Sequence, residues 1–158
     1  MKPELFPLMA ELEDHHWWFT ARREIVSSVL REVVPADGSG VVVDVGCGTG
    51  ANLAALVPDY EVLGIDTSPE AIELARRRFP EVAFHHGRAP EDIPRAFRRA
   101  DAVLLLDVLE HVEDARGLLR RLVEALRDGA HVILTVPADM ALWSGHDVSH
   151  GHHLRFDV

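Results

Sequence analysis

Three glycines at alternate positions, Gly46, Gly48 and Gly50, follow the apolar run Val41-Val42-Val43-Asp44-Val45. With no Cβ at those positions, the backbone after a buried strand can turn tightly and approach a ligand where a side chain would clash. The short helix expected from Ala51 to Val57 adds free N–H groups at its start. The spacing Gly46-x-Gly48-x-x-Ala51, with Asp66 placed 20 residues beyond Gly46 to receive ribose hydroxyls, suits an adenosine-containing ligand. Spacing alone does not separate a dinucleotide from another such ligand, whereas Asp44 does. A carboxylate inside an apolar strand is costly without cationic or N–H partners, and it would repel a pyrophosphate held by the adjacent loop. A ligand carrying an ammonium and a sulfonium would be drawn to it. The competing reading is structural, with Asp44 bonding backbone amides.

Other side chains invite chemistry. His111 is a candidate general base, because an imidazole titrates near neutral pH, and a structural histidine is its alternative. Ten histidines in 158 residues raise the question of a metal. His146 and His150 stand four apart with Asp147 between them, so a helix would align them, and His152 and His153 follow. The segment shows little helical pattern and no thiolate. No metal site is expected, and these residues are assigned to the acceptor pocket or to solvent. Trp17, Trp18 and Phe19 cannot all face one way on a helix, so some pack in the core while others cover the ligand. Arg22 and Arg23 pair with acids or with an anionic substrate, or remain solvated.

These residues need a frame. Residues 17–34 read as a helix, with Ala21, Ile25, Val29 and Val33 recurring every four positions and Val26 and Leu30 widening the stripe. Residues 35–40 break the pattern. Strands are expected at 41–45, 61–65, 82–85, 101–106 and 131–136. Helices are expected at 51–57, from Ser68-Pro69-Glu70 to about Phe79, at 91–99 and at 114–127. This alternation implies right-handed crossovers and a Rossmann-like open α/β sheet of five parallel strands flanked by helices. Ligands bind such sheets beyond the carboxyl ends of the strands. The chemistry therefore belongs to loops 46–50, 66–69, 86–90, 107–112 and 137 onward.

Composition narrows the function. The chain has 158 residues, 47% hydrophobic and 27% charged, with 16 basic side chains against 26 acidic ones. That length suits one domain. Mean hydropathy near zero, with 11 glycines and 9 prolines, argues against disorder or a collagen-like repeat. No apolar run approaches the roughly 18 residues that span a bilayer. The start, MKPELFPLMAELED, lacks the basic-then-apolar order of a signal peptide, so a cytoplasmic protein is expected. A formal charge of −10 disfavours a nucleic-acid backbone or an anionic membrane as the main partner. Cys47 is the only cysteine, so neither an internal disulfide nor a Cys-x-x-Cys knuckle is available.

VVVDVGCGTG at 41–50 resembles the first motif of the class I S-adenosylmethionine (SAM)-dependent methyltransferases, and GIDTSPEAIELAR at 64–76 resembles their second. LLLDVLEHVED at 104–114 is similar to the fourth-strand segment of the small-molecule, ubiquinone/menaquinone-type branch, and HVILTVPA at 131–138 to the strand that follows. HHWWFTARREIV and LWSGHDVSHGHH also resemble segments of a bacterial subgroup. The resemblance implies one methyltransferase domain with an N-terminal helical cap (1–36), a SAM-binding core (40–138) and a substrate-side tail (139–158). It implies that Asp44, Gly46, Cys47, Gly48 and Gly50 hold the methionine portion of S-adenosyl-L-methionine. Asp66 would take the ribose hydroxyls, with Thr67 and Ser68 beside the ribose or adenine. Gly87-Arg88-Ala89 would contact adenine, although Arg88 stands where the family often carries an acid; the Ala89 backbone or Glu91 would then serve. Asp107, Val108 and Leu109 lie where the family places the methyl group beside its acceptor, a small molecule. His111 and His146 become the candidate catalytic residues. Trp17, Trp18, Arg22, Trp143 and His150 become the candidate substrate or lid residues.

Two readings compete: an NAD-dependent oxidoreductase or epimerase of Rossmann type, and a SAM-binding but non-catalytic module, a fragment or partner subunit. Against the first, the chain lacks a Tyr-x-x-x-Lys pair, since Tyr60 is the only tyrosine and Lys2 the only lysine. The family sheet also continues past its fifth strand with an antiparallel hairpin. The polar stretch after Ala138 is a poor source of two strands, so a C-terminal truncation relative to the family is expected. Residues 131–136 would then form an apolar edge, open to self-association as a homodimer or covered by the tail.

Overall fold

The computed structural model describes residues 5–157. The β-branched and leucine-rich runs form β1 (Val41–Val45) and β4 (Ala102–Leu106), buried at every position. Around them lie β2 (Glu61–Asp66), β3 (Ala83–His86) and β5 (His131–Thr135), all parallel, in the order β3-β2-β1-β4-β5. The chain builds outward from β1 to β3, then returns to the other side of β1. That reversal leaves a crevice beyond the carboxyl ends of β1 and β4. Asp44 is in register with Gly64 of β2 and Leu104 of β4, at the centre of the sheet.

Alternation along β4 sorts the core into two layers. Leu104 and Leu106 join Val26, Leu30, Leu53 and Ile72 on one face. Val103 and Leu105 join Ile65, Phe97, Leu118 and Leu122 on the other. The first face is covered by α2 (Trp17–Val33), α3 (Ala51–Ala54) and α4 (Pro69–Arg78), and the second by α5 (Pro94–Arg99) and α6 (Ala115–Ala125). The expected start of α4 holds: the Ser68 hydroxyl accepts from the Ala71 N–H at 3.2 Å and Pro69 occupies the first turn. Asp114 caps α6 through the Gly117 N–H at 2.9 Å.

Two sequence expectations need correction. The buried row of α2 is Val26 and Leu30, continued by Val34, while Ile25, Val29 and Val33 are 64%, 40% and 38% exposed. Both rows recur every four residues, so periodicity alone could not choose between them; packing against the sheet did. Two helices were also missed. α1 (Phe6–His15) has Pro7 in its first turn and buries Phe6 and Ala10. The tail, read as lacking helical pattern, forms α7 (Gly145–His150) from a capping box in which the Ser144 N–H donates to Asp147 Oδ2 at 2.9 Å.

The tail returns toward the sheet without covering its edge. Phe156 pairs with Ala138, just past β5, and the Asp139 N–H donates to the Phe156 carbonyl at 3.0 Å. Among the described residues, β5 pairs only with β4. No described helix is long and apolar enough to cross a membrane.

The corrected stripe makes a prediction for stability. Leu30, fully buried, should lose about 2–5 kcal/mol on Leu30→Ala, whereas Ile25→Ala should stay within about 0.5 kcal/mol, measured by urea unfolding. Similar costs for both would return the buried face to the Ile25 row.

Candidate functional site

The glycine loop is shaped by its neighbours. Gly46 has φ +76°, and a Cβ there would stand 2.6 Å from Val108 Cγ2. Gly50 has φ +88°, with the Phe84 ring 2.5 Å from where its Cβ would be. Neither position has room for a side chain. The Gly46 N–H donates to the Ile65 carbonyl at 2.8 Å, and the Gly48 N–H donates to Asp66 Oδ2 at 3.0 Å. Asp66 Oδ1 accepts from the Ser68 N–H at 2.8 Å. Asp66 thus ties the first two loops together, and each of its oxygens retains further acceptor capacity.

These loops enclose a cavity of about 1060 Å³ beyond the ends of β1, β2 and β4. Gly46, Gly48, Asp66, Thr67, Ser68, Arg88, Ala89, Asp107, Val108 and His111 line it, as does Phe6 from α1. Cys47 instead turns its buried thiol toward the core, where a Cβ on Gly64 would meet its sulfur at 2.8 Å. Gly50 starts α3 against Phe84, and Leu109 is buried in the second core layer. Trp17 and Trp18 are 70% and 50% exposed and stand outside the cavity. Trp143 and the exposed His146 also lie off it. His150 lines a separate hollow of about 390 Å³ with Leu5, Leu8, Met9 and Leu12 of the N-terminal segment.

Asp44 sits behind the glycine loop rather than on the cavity wall. It is 1% exposed, neither carboxylate oxygen has a hydrogen-bond partner, and burial pushes its pKa up to about 8 against the pull of Arg22. The structural alternative, in which backbone amides satisfy it, is therefore not what the fold provides. Arg22, expected to pair with an acid or an anionic substrate, pairs with an acid: from α2 it donates from Nη1 to Asp107 Oδ2, and its buried Nε has no partner. Asp107 Oδ1 accepts from the Thr135 hydroxyl at 2.8 Å. These bonds hold Asp107 at φ +58°, a left-handed conformation that costs a non-glycine residue on the order of 1–3 kcal/mol and is characteristic of functional loops.

Sequence reasoning missed three participants. Arg78, in the last turn of α4, donates to Glu13 Oε2 at 2.9 Å, Thr49 Oγ1 at 2.7 Å and Asp14 Oδ1 at 2.7 Å, clamping α1 to the glycine loop. Asp92 supplies the acid that the third loop lacked, accepting the Arg88 N–H at 2.7 Å from a helical turn away. Glu91 instead pairs with Arg121 at 3.2 Å on the cavity rim. Glu110 is 1% exposed, with burial raising its pKa to about 7 and Oε2 unpartnered. Its neighbour His111 has its pKa lowered by burial, so the imidazole is neutral at pH 7.

Comparisons with known proteins agree on what such a chain is. Residues 43–132 match the family described as methyltransferase domain. A trans-aconitate 2-methyltransferase of Methylobacterium radiotolerans is 37% identical over 126 residues, 78% of this chain and 48% of the relative. A mouse tRNA (uracil-5-)-methyltransferase homolog A is 33% identical over 119 residues, 72% of this chain and 19% of the relative. The chain thus spans less than half the length of these relatives. Among solved structures, the Haloferax volcanii chain in complex with a methyltransferase activator superposes with a TM-score of 0.73 at 20% identity, covering 98% of this chain and 70% of that one.

The pKa of Asp44 carries a pH signature. The folded protein keeps a proton to about pH 8 that the unfolded chain releases near 3.8. The stability this contributes is complete below the unfolded value and is lost as pH rises through the folded one. Asp44→Asn should therefore gain unfolding free energy relative to the parent as pH rises from about 5 to about 8. A constant difference across that window in urea titrations would mean that Asp44 is already ionised when folded.

Proposed function

The chain belongs to the methyltransferase domain family, and on that premise we propose that it binds S-adenosyl-L-methionine in the cavity beyond β1, β2 and β4 and methylates a small-molecule acceptor. One observation carries the reading: a buried carboxylate, Asp44, with two unpartnered oxygens lies directly behind a loop that has no room for a Cβ at Gly46. A ligand ammonium brought close by that loop supplies the missing counter-charge. A dinucleotide would bring a pyrophosphate instead, and its charge would oppose Asp44.

Bound SAM supplies a methyl group already activated by its sulfonium, so the protein contributes alignment and exclusion of water. Asp66 offers its free lone pairs to the ribose hydroxyls. Asp92 and the Ala89 backbone serve the adenine side. Asp107, held by Arg22 and Thr135, shapes the opposite end beside Val108. His111 lies on that wall and presents a neutral imidazole to the acceptor. The net charge of −10 favours a small acceptor over the polyanion in the name of the mouse relative.

Calorimetry with SAM or its demethylated product should give a dissociation constant in the micromolar range, and folded protein showing no heat with either would overturn the reading. Asp66→Ala should weaken that binding by about 1–3 kcal/mol, the usual cost of leaving such hydroxyls and their site imperfectly paired. We also propose that two copies pair along the outer edge of β5, an apolar strand whose Leu134 is 39% exposed. Sedimentation should then show a dimer. A clean monomer, or a dimer that persists in Leu134→Pro, which removes an outward-facing N–H, would overturn this pairing.

A further inference from the structure

Glu110 and His111 lie in the 3-10 turn after β4, and His152 follows 41 residues beyond His111, just past α7. The fold closes that gap with a backbone bond, the His153 N–H donating to the Glu110 carbonyl at 2.7 Å. One side-chain ligand atom from each of Glu110, His111 and His152 then lies within 4.8 Å of the other two. Glu110 is buried, and its Oε2 has no hydrogen-bond partner. An orphaned carboxylate oxygen in a buried polar cluster asks for a cationic partner.

The two histidines are prepared for the same partner. His152 Nδ1 faces Asp147 Oδ1 at 3.0 Å. Asp147 is fully buried and held as an anion by Arg155, whose Nε and Nη2 donate at 2.8 and 3.0 Å, and by the Ser144 N–H. It can only accept, so the proton of that bond sits on His152 Nδ1, and Nε2 is the ring nitrogen left for another partner. His111 Nδ1 faces the Gly151 carbonyl at 3.4 Å, which selects the same tautomer. A ring fixed through Nδ1–H by a carboxylate or carbonyl, with Nε2 free, is the usual support of a metal-bound histidine.

We propose that Glu110, His111 and His152 form a site for one divalent transition-metal ion, of the zinc, cobalt or ferrous-iron type, on the wall of the cavity that His111 lines. Two imidazoles and one carboxylate suit such ions and leave coordination positions open. Bonds of about 2.0–2.2 Å set ligand atoms about 3–3.4 Å apart, so the trio must close by up to about 1.5 Å. His111 brings the site to the cavity. There an acceptor hydroxyl would bind the ion and release its proton to water; this second step, unlike the site itself, rests on the methyl-transfer reading. In that state His111 serves as a ligand and not as a base. The histidine spacing of the tail had singled out His146 and His150, but the exposed His146 and half-buried His150 rings lie against each other with centroids 4.0 Å apart, outside the trio.

The test is a titration of the chelator-treated 158-residue chain with Co²⁺, read by visible absorption, and with Zn²⁺ in competition with a chromogenic chelator. One ion should bind per chain. Glu110→Gln and His152→Ala should each weaken binding at least about tenfold, with circular dichroism showing the fold intact. The paired variant His146→Ala/His150→Ala should bind within about twofold of the parent. SAM calorimetry on the same samples keeps the two readings apart, since the metal can bind whether or not the cofactor does. No absorption band at one equivalent, or binding lost with His146 and His150 but kept by Glu110→Gln, would overturn the site.

Discussion

Asp44 lies in the middle strand of the sheet, flanked by Gly64 and Leu104, with no hydrogen-bond donor on either carboxylate oxygen. A charge in that position is unstable in the free protein, which therefore holds it protonated to about pH 8. In the proposed reading, a cation of the ligand meets it. The glycine loop packs close to Val108 and Phe84 because Gly46 and Gly50 carry no side chain. Arg22 faces Asp107 rather than neutralising Asp44 outright.

Two arginines join the N-terminal helices to this centre. Arg78 gathers Glu13, Asp14 and Thr49, so α1 is fixed to the loop that follows β1. Arg22 fixes α2 to the strained residue at the end of β4. Both side chains are largely withdrawn from solvent, at 14% and 11% exposure, and their charge-assisted bonds are correspondingly less screened than surface pairs. Phe6, carried by α1, closes one side of the cavity as a result. The cap is thus part of the site rather than an appendage to it.

The tail plays the matching part on the side of the cavity that His111 lines. Asp147 acts as its hub, binding Arg155, His152 and the Ser144 backbone from a fully buried position. The hub turns a polar, histidine-rich segment into a fixed wall and brings His152 against Glu110 and His111. The outer edge of β5 is left open by the same arrangement, because the tail pairs past its end and not along it.

Much of this was legible in the sequence. β-branched runs mark buried strands, alternate glycines mark a turn that must approach something, and Ser68-Pro69-Glu70 marks a helix start, because each is a local constraint on a few consecutive residues. The alternation of such elements sufficed for the sheet and the cavity-lining loops. Other features were decided only by tertiary structure. α2 offered two equally spaced apolar rows, and the sheet selected Val26 and Leu30. Arg78 looked like a helix-end charge until α1 came to lie beside it. Asp92 replaced an expected acid from another turn, and Glu110 with His111 met His152 across the fold. In each case the choice depends on groups distant along the chain, whose approach is set by packing and by the demand that buried charge find a partner.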